Sequence, residues 1–136
     1  AYFGVVLAGL LHGLPRDEVL DPRWPMLRRL VEVHPLHPEV AEVAGGSFRR
    51  KRPPEIRGSG YVVRSLEAAL WAFHDAPDFR EAVLRAVNLG DDADTTGAVC
   101  GQLAGACWGE RGIPAAWLDG LAGRALIERA LHTLVT

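Results

Sequence analysis

The chain has 136 residues, of which 49% are hydrophobic and 24% are charged, and its formal net charge is −2 at pH 7. This length and composition predict a single domain with a packed core, and they exclude a disordered segment and a collagen-like repeat. Because the small net charge creates no strong overall field, we expect no nucleic-acid partner.

The apolar residues 1–11 predict a helix that runs to about His12 and ends at Gly13, and Pro15 opens a short turn through Leu20. This stretch is too short to cross a bilayer and lacks the basic start of a signal peptide, so we expect no membrane association. It also has no initiator methionine and no helix cap. These features indicate that the chain begins inside a larger protein.

Residues 24–46 predict two further helices that are separated by proline. The stretch from Trp24 to Val33 places four apolar side chains on one helical face: Met26, Leu27, Leu30 and Val31. The prolines of residues 34–38 interrupt this helix, because proline disfavours helix in the residue before it. A short helix is predicted over Pro38–Val43, and two glycines stop it.

The middle of the chain predicts a loop followed by three helices. Residues 47–60 predict the loop because they join a basic run to two prolines and flanking glycines. An amphipathic helix follows over residues 62–73, and Asp78 is placed to cap a helix that runs to Leu89. The third helix is predicted from Thr95 to about Gly109.

The end of the chain predicts two short helices, one from residue 113 through Gly120 and one over residues 123–134. No pair of segments alternates as strands do, so the predicted fold class is all-α. Cys100 and Cys107 lie on one predicted helix with their Cα atoms about 10 Å apart, too far for a disulfide. Unpaired cysteines are typical of a reducing compartment, so we expect a cytoplasmic location.

The acidic turn of residues 90–97 has two interpretations. In the first, Asp94 is the N-cap of the following helix, and capping contributes about 0.5–1 kcal/mol for one Asp and weakly for a second. In the second, Asp92, Asp94 and the Thr95 hydroxyl hold a cation. An all-oxygen donor set selects a hard ion, Mg²⁺ first and Mn²⁺ or Ca²⁺ next. The residues alone leave both interpretations open.

The helix after this turn carries a regular row of small residues: Gly97, Gly101 and Gly105. Each interior glycine costs about 0.8–1.0 kcal/mol of helix propensity relative to alanine. That cost is offset where another backbone packs closely against the small face. The spacing therefore predicts a buried central helix whose N-terminus is held rigidly.

Three other features each have two interpretations. The basic run of residues 49–52 is a solvated loop or an anion site, and the lack of interleaved aromatic residues favours the loop. The N–H groups of Gly58-Ser59-Gly60 bind a phosphate or ribose, or the segment simply begins a helix. Tyr61 stacks on adenine or packs against the protein. Cys100 is predicted to pack in the core rather than to act as a nucleophile.

Several segments of the chain occur in a characteristic order and spacing: GSGYVV at 58–63, LEAALWAF at 66–73, NLGDDADTTGA at 88–98, GA at 105–106 and IPAAW at 113–117. Together they resemble the C-terminal part of the ADP-ribosylglycohydrolase family, from about Leu36 onward. The resemblance implies that residues 1–136 are the C-terminal portion of one compact, orthogonal helical domain.

The resemblance also implies an activity and a site. The activity is hydrolysis of the glycosidic bond between ADP-ribose and a protein side chain or small acceptor, assisted by two Mg²⁺ ions, with Mn²⁺ as the alternative. The family's Asp-x-Asp-Thr metal motif falls on Asp92, Asp94 and Thr95. The substrate-binding positions expected from the loop are Ser59, Gly60 and Tyr61.

The chain departs from the family pattern in one respect. It has no match to the Thr-Asp-Asp motif that supplies the other metal ligands, and no acid or base residue beyond the metal ligands is identifiable. We therefore expect the N-terminal portion of the domain to be supplied in cis or by another chain. The alternative is a non-catalytic homologue that binds ADP-ribose or has a structural role.

Overall fold

A computed structural model describes residues 1–135, and these residues form helices and loops without a strand. The helices are α1 Tyr2–Leu11, α2 Arg16–Val19, α3 Pro25–Val33, α4 Pro38–Ala44, α5 Ser47–Arg50, α6 Val62–Phe73, α7 Phe79–Val87, α8 Ala93–Trp108, α9 Ala115–Asp119 and α10 Arg124–Val135, with a 3-10 turn at Glu110–Gly112. The predicted all-α fold class is confirmed.

The core lies where α8 packs against α7, α6 and α1. Each of these helices contributes fully buried apolar side chains, among them Val6, Leu70, Phe73, Ala86 and Leu103. The N-cap of α7 is the predicted residue, because the Asp78 carboxylate accepts the Glu81 N–H at 2.7 Å. No helix of the described residues is long and apolar enough to span a membrane.

The predicted loop of residues 47–60 begins with helix α5 instead. Two buried side chains cause the difference, because Phe48 enters the core and the Ser47 hydroxyl donates to the buried carboxylate of Glu67 on α6. The Nζ of Lys51 then donates to Glu67 Oε2 at 3.0 Å and lies 3.2 Å from Glu42 Oε1. The basic run is therefore tied to α4 and α6 rather than solvated throughout.

The close packing predicted for the small face of α8 is not found among residues 1–135, and the apolar face of α3 is only partly buried. The predicted helix forms as α3, where Leu27 is buried, Leu30 packs partly buried against the core, and Met26 and Val31 are exposed. Helix α8 takes the predicted central position, but within residues 1–135 its glycine row meets no other backbone. A Cβ on Gly97 would meet only the Val87 side chain, at 2.8 Å, and one on Gly101 or Gly105 would meet nothing within 4 Å.

Candidate functional site

The acidic turn connects α7 to α8 through two residues with left-handed backbone conformations. Gly90 has φ +74° and Asp91 has φ +53°. Aspartate is one of the few non-glycine residues that adopt this conformation with modest strain. The turn places Asp92 at the N-cap of α8, so the helix begins at Ala93, two residues before the predicted start.

The carboxyl groups of Asp92 and Asp94 lie together at the N-terminus of α8. The Asp92 side chain within hydrogen-bonding reach is the main cause that lowers the pKa of Asp94 below its usual value, and the backbone N–H of Thr95, which donates to Asp94 Oδ1 at 3.0 Å, adds to this effect. Asp94 is inside the first turn rather than at the N-cap, so that capping prediction is wrong. Asp92, the actual N-cap, makes no side-chain capping hydrogen bond.

The start of α8 is held instead by Thr96, a residue that the sequence analysis did not single out. Thr96 is fully buried, and its backbone N–H and its hydroxyl both donate to the carbonyl of Asp92, each at 3.1 Å. Thr95 is exposed beside the two carboxylates. The carboxylate oxygens of Asp92 and Asp94 are therefore largely not needed to hold the start of the helix.

The loop before α6 lies directly against the acidic turn. The Asp92 N–H donates to the Gly58 carbonyl at 2.7 Å. A Cβ on Gly58 would lie 2.9 Å from Thr96 Oγ1 and 3.2 Å from the Gly90 carbonyl oxygen, and one on Gly60 would lie 3.3 Å from Asp92 Oδ2. Only a residue without a side chain lets the loop approach so closely. The two groups of predicted site residues, 58–61 and 92–95, are therefore adjacent.

Tyr61 is exposed at the N-cap of α6, next to this contact. Its N–H lies 3.4 Å from the Ser59 hydroxyl oxygen, and its own hydroxyl donates to the carboxylate of Glu39 on α4. That hydrogen bond is the main reason why the pKa of Tyr61 lies above its usual value. Glu39 was missed by the sequence analysis, because a contact between residues 39 and 61 leaves no trace in local spacing.

Two cavities border the loop and the turn. A polar cavity of about 590 Å³ is lined by Lys51, Glu55, Arg57, Ser59, Arg64 and Asp91. A second cavity of about 670 Å³ has a mostly apolar lining that includes Pro53, Pro54, Trp71 and Leu89, and Asp91 also borders it. Both volumes are within the range of small-molecule sites.

The predicted metal ligands suit a hard divalent ion in their chemistry. Two carboxylates and a hydroxyl provide only oxygen donors, which Mg²⁺ and Mn²⁺ prefer. Within residues 1–135 no group of three or more His, Cys, Asp or Glu side chains is close enough to hold an ion. Asp92, Asp94 and Thr95 therefore provide at most part of the donor set that such an ion requires.

The profile of the ADP-ribosylglycohydrolase family matches residues 1–136. The chain belongs to the ADP-ribosylglycohydrolase family. It is 38% identical over 133 residues to the ADP-ribosylarginine hydrolase Tri1 of Serratia proteamaculans, which covers 98% of this chain and 34% of the relative. It is also 39% identical over 83 residues to the ADP-ribosyl-[dinitrogen reductase] glycohydrolase of Rhodospirillum rubrum, covering 61% of this chain and 28% of that protein.

A solved structure described as an ADP-ribosylglycohydrolase-related protein complex has the same fold. Its TM-score is 0.79 at 41% identity, and the match covers 94% of this chain and 42% of that one. The ADP-ribosylglycohydrolase chain described here thus spans about a third of the length of the curated relatives it matches.

Cys100, which was predicted to pack rather than to act as a nucleophile, lies in the core of the family domain. Cys100 is fully buried, and its Sγ donates to the Ala82 carbonyl at 3.4 Å. Burial raises its pKa to about 12, so the thiolate that a nucleophile requires is disfavoured. Cys100 and Cys107 are both free thiols. Packing, as predicted, is the role of Cys100.

Proposed function

We propose that the chain is part of a metal-dependent hydrolase that cleaves the glycosidic bond between ADP-ribose and its acceptor. Water adds across the bond, so that the hydroxyl goes to the anomeric carbon of ribose and the proton to the acceptor. The main support is the contact between residues 58–60 and the acidic turn, which puts a loop suited to ribose or phosphate beside paired carboxylates. The names of the relatives point to acceptors on arginine or on a protein.

Asp92, Asp94 and Thr95 would hold the divalent ion. When bound, Mg²⁺ or Mn²⁺ supplies positive charge that binds ribose hydroxyls and orients or activates a water. The protein contributes a turn that is already shaped for this task. Two left-handed residues and the hydrogen bonds of Thr96 fix the backbone of Asp92 without using its carboxylate.

Ser59, Gly60 and Tyr61 would bind the ADP-ribose. Gly60 lies close enough to Asp92 Oδ2 that a side chain there would crowd the carboxylate, so the loop backbone would lie beside a ribose that binds at this carboxylate. The Tyr61 ring is exposed beside it and offers a face on which a base or sugar can stack.

We further propose that the missing metal ligands and the acid or base residues come from the N-terminal portion of the family domain, in cis or from another chain. The open surface over Gly101 and Gly105 supports this, as do the exposed apolar side chains of α10, among them Leu126, Leu131 and Leu134. Free thiols at Cys100 and Cys107 favour the cytoplasm as the location.

The test is turnover of an ADP-ribosylated arginine peptide in the presence of Mg²⁺, by protein in which this chain is combined with the rest of the domain. We expect release of ADP-ribose by the wild type and loss of at least about a hundredfold in kcat for Asp92→Asn and Asp94→Asn. Asp91→Asn is the matched control, since it keeps the left-handed backbone and lies outside the proposed ligand set.

The outcomes separate the proposal from its alternative. Equal turnover by all three variants would contradict the assignment of the metal ligands. Binding of ADP-ribose by the wild type without turnover would identify a non-catalytic homologue instead. The incomplete set of ligands among the described residues is the observation that favours this alternative.

A further inference from the structure

A hydrogen bond between two exposed side chains links helix α4 to the loop that carries Tyr61. The Tyr61 hydroxyl donates to the carboxylate of Glu39, although Tyr61 is 48% exposed and the Glu39 side chain is 46% exposed. Exposed side chains of this length normally occupy several rotamers, so such a contact persists only where both backbones are fixed.

The backbone of Glu39 is fixed by the start of α4. Pro38 occupies the first position of the helix, and the ring of His37 accepts the Glu39 N–H at 3.4 Å. At the other end of the helix, Val43 and Ala44 are buried against the core. Glu39 therefore projects from a short helix that the core holds in place.

The backbone of Tyr61 is fixed by the start of α6. Its carbonyl accepts the Ser65 N–H at 3.0 Å, and its own N–H faces the Ser59 hydroxyl. With the backbone fixed, only the side chain of Tyr61 can still rotate. The hydrogen bond to Glu39 restrains this rotation. The ring therefore has one preferred orientation instead of many. It lies at the edge of the loop that contacts the acidic turn.

We propose that Glu39 is a positioning residue: it holds the Tyr61 ring in the orientation that contacts the adenosine or ribose of the nucleotide ligand, without touching the ligand itself. This inference rests on the proposed function. Because the ring is ordered before binding, less conformational entropy is lost when the ligand stacks on it. Glu39 consequently acts on the affinity for ADP-ribose and the KM, and not on kcat.

The experiment measures the Kd for ADP-ribose by calorimetry on the full-length protein. Glu39→Ala is expected to weaken binding about threefold to tenfold, and Glu39→Gln to restore most of the loss because its amide oxygen still accepts the phenol hydrogen. Glu42→Ala is the control on the same helix, since Glu42 pairs with Lys51. In a Tyr61→Phe background, Glu39→Ala is expected to cause no further loss.

A second readout follows the ionisation of the tyrosine by its absorbance. Glu39→Ala lowers the pKa of Tyr61 towards its usual value, whereas Tyr2, whose pKa burial raises to about 12, titrates separately. Unchanged Tyr61 titration in Glu39→Ala, unchanged affinity for ADP-ribose, or equal weakening in the Tyr61→Phe background would each overturn the inference. Failure of the wild type to bind ADP-ribose would overturn the proposed function as well, so the two failures are distinct.

Discussion

Tyr2 shows how one buried polar atom affects this fold. The residue is fully buried near the start of α1, and its hydroxyl has no hydrogen-bond partner among residues 1–135. An unsatisfied buried hydroxyl costs about 1–3 kcal/mol. We therefore expect Tyr2→Phe to raise the free energy of unfolding by about 0.5–2 kcal/mol at pH 7, measured by urea denaturation. A loss of stability would show that the hydroxyl is satisfied.

The same residue makes stability depend on alkaline pH. Burial raises the pKa of Tyr2 to about 12, above the value of 10.0 for an unperturbed tyrosine. The unfolded state therefore loses this proton first, and the stability that is fully present below pH 10 falls as pH rises towards 12. Tyr2→Phe should reduce this fall, by about 2–3 kcal/mol over the interval. Cys100 titrates over a similar range in both proteins, so the difference between them isolates Tyr2.

At the level of single residues, the sequence predicted types of chemistry better than contacts. It singled out Asp92 and Asp94 because carboxylate and hydroxyl oxygens cluster in the acidic turn, a donor set that a hard cation prefers. It assigned the N-cap to the wrong one of the two, because the start of α8 depends on Thr96 and on the Gly58 carbonyl. The partner of Tyr61 could not be predicted, since Glu39 lies on a helix that reaches the loop only in the folded chain.

At the level of elements, we expect alanine substitutions of Gly58 and Gly105 to change the stability of the fold in opposite directions. Gly58→Ala places a Cβ against Thr96 Oγ1 and the Gly90 carbonyl, so we expect it to destabilise the fold by about 1–3 kcal/mol and to shift the acidic turn. Gly105→Ala meets open space inside α8 and should stabilise the chain by up to about 1 kcal/mol. Thermal unfolding of both variants tests the pair. Equal effects would contradict the close approach of the loop to the turn.

The link between α5 and α6 depends on one carboxylate. Glu67 is 3% exposed and accepts hydrogen bonds from Ser47 and Lys51. Glu67→Ala leaves the buried Ser47 hydroxyl without its acceptor and Lys51 with only the exposed Glu42, and we expect it to lower the free energy of unfolding by about 2–4 kcal/mol. Glu42→Ala, which removes only the exposed partner of Lys51, should change it by less than about 1 kcal/mol. Similar effects of the two variants in denaturant titrations would contradict this role of Glu67.

Helix α5 also shows why local patterns failed between residues 47 and 60. Prolines, glycines and a basic run all indicate a loop, and they do so correctly from residue 51 onward. The short helix before them forms because Phe48 and Ser47 find buried partners on other helices. By contrast, α6 and α7 carry strong periodicity and a cap, and their positions matched the prediction closely.

At the level of the whole molecule, the uncovered surface of α8 indicates where the rest of the domain packs. The chain spans about a third of its curated relatives, and the row of Gly101 and Gly105 meets nothing among the described residues. If the remaining portion packs there, Gly105→Ala should stabilise the 136-residue chain but be neutral or destabilising in the complete domain. Unfolding of both lengths tests this. Equal stabilisation in both would contradict the packing.

The proposed function depends most on a divalent ion held by the carboxylates at the start of α8. The most direct measurement is the anomalous difference map of crystals of the complete domain soaked in Mn²⁺. We expect a peak within coordination distance of the Asp92 and Asp94 side chains in the wild type, and no such peak in Asp92→Asn. A map with no peak beside these two residues would contradict it.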